Sequence, residues 1–119
     1  ESKAKISQAS LKVNSLRYEL ERMKKELIKE LSQAEYSYEA QSALVLSRVA
    51  LVKGAELSNQ VNRELFELNK TSINDLFRSQ EEFLTAAKNL VDATVEKNLS
   101  FYRLAAEFGT LLNLFELRT

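Results

Sequence analysis

From Ile6 onward the apolar positions recur at alternating steps of three and four: Ile6, Ala9, Val13, Leu16, Leu20, Met23 and Leu27. That is heptad spacing, which places one stripe along one face of a helix. Glu19, Glu21, Lys24, Lys25, Glu26 and Lys29 fill the other faces with mixed charge, as solvated helix faces do. Beyond Leu31 the stripe broadens, and Tyr38, Leu44, Val45, Val49, Leu51, Val52 and Leu57 cover much of the circumference. A helix that is apolar on two sides is one packed between two neighbours. The chain holds no proline, and Gly54 costs about 1 kcal/mol relative to alanine, which a long helix tolerates. The pattern therefore predicts a single helix over residues 1–67.

The run is interrupted at "FELNKTSINDLF", Phe66 to Phe77. Asn69 falls where the first helix ends, and asparagine tolerates the left-handed conformation that such ends use. Ser72 followed three residues later by Asp75 fits a capping box for a second helix, with Thr71 and Asn74 as a less favoured register. Residues 68–75 are thus a turn and a helix cap. The return helix is expected over 76–108. It carries Leu76, Phe83 and Leu90 on one seam, Phe77, Leu84 and Val91 on a second, and Ala87, Thr94, Phe101 and Phe108 on a third row. Gly109 is expected to end it as a cap, leaving 109–119 as a short apolar tail.

The predicted fold class is all-α: one domain over 1–119, a long antiparallel helical hairpin of coiled-coil type with unequal arms. The outgoing arm is about twice the return arm on this reading, so half of it has no partner within the chain. A two-helix hairpin also cannot bury apolar stripes on two sides of each helix. Partner helices are expected from other copies or from other parts of a longer chain.

Composition narrows the function. Lysine plus arginine number 17, as do aspartate plus glutamate, for a formal net charge of zero. That balance argues against a nucleic-acid partner, which calls for a basic stripe, and provides no polybasic anchor for an acidic membrane surface. Histidine, cysteine and tryptophan are all missing. Without His and Cys the chain lacks the commonest general base, the best nucleophile and the preferred transition-metal ligands. We expect no enzyme, no catalytic residue, no metal and no cofactor. Tyr36, Tyr38 and Tyr102 read as seam packing, and Glu81 with Glu82 are adjacent on a helix and make a poor acid/base pair. The most apolar stretch, Ala43 to Leu57, contains Arg48 and Lys53 and falls short of the roughly 18 to 20 residues that a spanning helix needs. The chain begins Glu1-Ser2, and its one methionine is Met23, so its start is expected to be a cut or processed end.

Phe66, the turn Leu68-Asn69-Lys70-Thr71, Asp75 and the ending Phe108-Gly109-Thr110-Leu111 together resemble the TolC-like outer-membrane factors of Gram-negative bacteria. The family pattern is an aromatic, two residues, a glycine, a short Thr-rich turn, then Asp and an apolar pair, with a Gly-x-Leu ending further on. The likeness extends from Phe66 to Leu111; upstream it is one of heptad style. The resemblance is to the helical part of the C-terminal repeat. It implies a longer parent chain whose missing β-strands form the barrel that contacts the outer membrane, while this segment lies in the periplasm.

The resemblance further implies a homotrimer that closes an α-barrel, serving as the exit duct of a tripartite efflux pump or a type I secretion system. A periplasmic adaptor protein would dock on the tip at Leu68, Asn69, Lys70, Thr71 and Ser72, linking the duct to an inner-membrane transporter. Asp75 would line the pore entrance, and Arg78, where some members carry a second acid, would pair with it at the gate. Departures from the pattern are Asn69 for the family glycine, Phe66 without a bridging hydroxyl, and Thr71 where an arginine can stand. Two rival readings accompany this one. They are the hairpin of an adaptor (membrane fusion) protein, and a structural coiled coil or four-helix bundle made by pairing such hairpins.

Overall fold

The computed structural model describes residues 2–116 as two helices, α1 (Ser2–Glu67) and α2 (Ile73–Glu116), packed as an antiparallel hairpin. No strand occurs among the described residues. The all-α hairpin expected from the periodicity is therefore the fold.

The turn forms for the reasons the sequence offers. Asn69 has φ 57°, in the left-handed region where asparagine is among the least penalised side chains. Around it the Lys70 N–H donates to the Leu65 carbonyl at 2.8 Å and the Asn69 N–H to the Phe66 carbonyl at 3.0 Å. Those two bonds are a Schellman motif, which satisfies carbonyls that the end of α1 would leave bare. On the other side the Asp75 N–H donates to Ser72 Oγ at 3.2 Å. Ser72 is thus the N-cap of α2, and Asp75 is the acidic residue of its first turn.

α2 corrects the expected boundary. It does not stop at residue 108 but runs through Gly109 to Glu116, and no glycine has a positive φ. Gly109 is a helix-interior residue, not a cap. Leu111 and Leu114 prolong the inward-facing row past it, and their burial offsets a glycine cost of about 1 kcal/mol. The return arm is accordingly longer than expected, 44 residues against 66. The part of α1 in which every side chain is exposed shrinks to residues 2–19, less than the half expected.

Two compact units divide the hairpin. Tyr36–Tyr102 contains the turn. Its seam on α1 passes through Tyr38, Val45, Val52 and Asn59, and on α2 through Leu76, Phe83, Leu90 and Ala93, in steps of a heptad or half-heptad. The other unit joins Glu1–Glu35 to Arg103–Thr119, with Leu20, Lys24, Leu27 and Leu31 facing inward on α1 and Leu104, Leu111 and Leu114 on α2. Among the described residues, buried apolar side chains are few, namely Leu76, Ala93 and Leu111. Since a fully buried large apolar side chain contributes about 1.5–3 kcal/mol, a seam of mostly half-buried residues draws much less than its composition could supply. No described helix is long and apolar enough to cross a membrane.

Candidate functional site: the tip turn and the open faces

The turn brings together every residue expected at the tip. Leu68, Asn69, Lys70 and Ser72 are exposed, and Thr71 is half-buried. Thr71 Oγ1 donates to Asp75 Oδ2 at 3.3 Å, and Arg78 Nη1 lies 3.9 Å from Asp75 Oδ1. One carboxylate thus accepts from the turn with one oxygen and faces a guanidinium with the other. The ion pair is solvated on both sides, so its contribution is about 0–1 kcal/mol and salt-sensitive. Leu68, Ile73 and Phe77 add apolar surface next to Lys70 and Arg78.

Above the turn, Leu46, Leu57 and Val61 on α1 and Val95 and Leu99 on α2 are open singly, and two apolar rows at heptad spacing remain open beside them. On α1 these are Leu44 and Leu51; on α2 they are Phe77, Leu84 and Val91, the last three 55%, 65% and 61% exposed. Phe77, Leu84 and Val91 each follow a seam residue (Leu76, Phe83, Leu90) by one position, about 100° round the helix in one sense. Asp75, Glu82 and Asn89 precede the same seam residues, about 100° round in the other sense. Leu51 shares a groove with Glu82 and Asn89, and Leu44 shares one with Asn89 and Glu96. The α1 row therefore opens on the acidic edge of α2, and the α2 row opens on the opposite edge of the hairpin. The two stripes expected on α2 are thus present, with Leu76, Phe83 and Leu90 closed by α1 and the second stripe bare.

Of the tyrosines expected in the seam, Tyr38 belongs there, its ring centroid 5.8 Å from that of Phe101. Tyr36 and Tyr102 do not, being 75% and 69% exposed. Both sit one or two positions off the inward-facing row, so they point to solvent.

Polar residues inside the seam escaped the sequence reading. Ser79 and Asn59 are buried, with Ser79 Oγ 3.2 Å from Asn59 Oδ1 and 2.8 Å from the Leu76 carbonyl oxygen. One hydroxyl proton serves one acceptor. Turning the Asn59 amide over makes its NH2 the donor to Ser79, and both contacts are then satisfied. Lys24 is the second case. The stripe read from Leu20 through Met23 to Leu27 leaves Lys24 on a solvated face, yet Lys24 is 5% exposed and Met23 49%. The seam steps from Leu20 to Lys24 to Leu27, which is equally a four-then-three spacing. The signal was therefore in the sequence, hidden because lysine at a core position is uncommon.

The chain matches no protein-family model, no curated protein and no solved structure.

Proposed function

We propose that this hairpin is a wall segment of a tunnel-forming α-barrel, the periplasmic part of a TolC-like channel subunit for tripartite efflux or type I secretion. The observation that carries the reading is the placement of the open rows. A two-fold dimer joins like edges, so it covers one row and leaves the other bare. Packing the Leu44/Leu51 edge of one hairpin against the Phe77/Leu84/Val91 edge of the next uses both rows at every contact. A contact of that heterologous kind repeats from copy to copy, and it closes a ring when the rotation between neighbours divides a full turn. Homotrimers containing two such hairpins per chain would close it with a water-filled interior.

In this reading the exposed tip, Leu68 to Ser72, meets the helical tips of a periplasmic adaptor, which connects the duct to an inner-membrane transporter. Asp75 and Arg78 stand at the narrow mouth. The duct works passively. It opens when docking shifts the packing of neighbouring tip hairpins between two arrangements of similar energy. A barrel at the outer membrane would come from strands elsewhere in the parent chain.

The 119 residues hold no cysteine of their own, so one introduced at the tip is the reactive thiol of this segment. A lone cysteine in place of Lys70 in the full-length protein, coupled to a short bifunctional reagent in intact cells, should capture an adaptor protein. The parent gene should also encode a second hairpin of this pattern and two pairs of alternating strands. A parent lacking that repeat, or one with lipoyl-like β segments flanking the hairpin, would support the adaptor or scaffold reading instead.

A further inference from the structure

We infer that residues 110–116 of α2 are a releasable strap that lies on α1 with Gly109 as its hinge and Lys24 as a built-in weakness under it. Two independent observations converge on this segment. The first is Gly109 itself. It sits inside a helix, and a Cβ placed there would meet nothing within 4 Å, so neither close packing nor backbone conformation calls for glycine. The residue loosens the helix without any structural return, because glycine loses the most conformational freedom on becoming helical. The two turns that follow it, residues 110–116, are held on α1 by side-chain contacts across the hairpin.

The second is what those turns rest on. The strap shares a groove with Met23 and Leu27 through Thr110, Asn113 and Leu114, and the Phe115 ring lies over Lys24 Nζ at 5.4 Å. Among the described residues the Lys24 ammonium, buried there, has no hydrogen-bond acceptor. Among the described residues it meets the Phe115 ring and makes a long pairing of 3.8 Å with Glu21, whose side chain is itself largely solvated. A buried ammonium short of acceptors opposes docking of whatever covers it, since water would satisfy it better. The cation–ring contact returns part of that loss.

The turn end of the hairpin shows the opposite design, with a Schellman closure, a serine cap and the Asn59–Ser79 contact. Opening is therefore local to the strap. Release frees Lys24 to solvent and uncovers Leu27, lengthening the apolar surface of α1 that is already open at Val13 and Leu16. The strap thus alternates between two states, one in which α2 covers this stretch of α1 and one in which α1 presents a longer apolar row. This inference does not depend on the channel reading.

Hydrogen–deuterium exchange on the 119-residue chain tests it. Amides of 110–116 should exchange well ahead of those of 83–100. Lys24→Met and Lys24→Leu should each slow exchange in 110–116 by about tenfold, leaving 83–100 unchanged, and Gly109→Ala should act in the same direction. Equal protection of the two segments in the native sequence would overturn the inference. So would Lys24 variants that leave 110–116 unchanged, or that alter both segments alike.

Discussion

The Ser79 hydroxyl lies 3.2 Å from the Asn59 side-chain oxygen inside the seam, joining the two arms a few turns from the chain reversal. Among the described residues it is the side-chain hydrogen bond that crosses between the helices. Sliding one arm by a heptad in one sense would set Asn59 against Ala86 and Ser79 against Phe66, leaving both polar groups without partners; sliding it in the other sense would set Ser79 against Val52 and carry Asn59 to Ser72 at the turn. A polar pair at core positions holds register in this way at some expense of stability.

Ser79→Ala should therefore destabilise the hairpin by about 1–3 kcal/mol, because the Asn59 amide stays buried and unpaired. Asn59→Leu combined with Ser79→Ala should recover most of that loss. Urea unfolding of the single and double variants measures the coupling. Simple additivity would mean that the pair contributes nothing to the seam.

The turn supplies a second prediction. Asn69 holds φ 57°, a conformation that glycine adopts freely and β-branched residues resist. Asn69→Gly should be neutral or stabilising, by up to about 1 kcal/mol, whereas Asn69→Val should destabilise by about 1–2 kcal/mol. Thermal unfolding in two variants of similar helix content decides it.

For the cap, Ser72→Ala removes the acceptor of the Asp75 N–H and should cost about 0.5–2 kcal/mol. Arg78→Ala should change stability by less than about 1 kcal/mol, since its 3.9 Å pairing with Asp75 is solvated on both sides. A larger effect of Arg78→Ala than of Ser72→Ala would reverse this ranking.

In the whole channel, Asp75→Asn should weaken block of single-channel current by multivalent cations if Asp75 lines the mouth. The same variant separates the two tasks of this residue, because the Asp75 N–H bond to Ser72 is made by the backbone and survives. An unchanged block would leave Asp75 with the helix start alone.

What the sequence made legible follows from where the physics is local. The turn is set by Asn69, Ser72 and Asp75 within a few residues of one another, and each adopts the role its chemistry suggests. The end of α2 is set by contacts across the hairpin. Gly109 reads as a stop only if Leu111 and Leu114 are ignored, and their burial is a tertiary effect. Lys24 and Asn59 were hidden for a related reason: spacing gives the face of a residue, whereas polarity argues for solvent, and here spacing wins. The open rows were legible as a surplus of apolar positions. Their placement on opposite edges needed the register of the two arms.

That placement is the core of the account, and sedimentation of the 119-residue chain tests it most directly. The open rows predict a chain that self-associates, with Leu51→Glu and Leu84→Glu each shifting it toward monomer although they lie on different edges. A native chain that sediments as a monomer at every concentration, or one in which a single edge governs association and the other is indifferent, would contradict it.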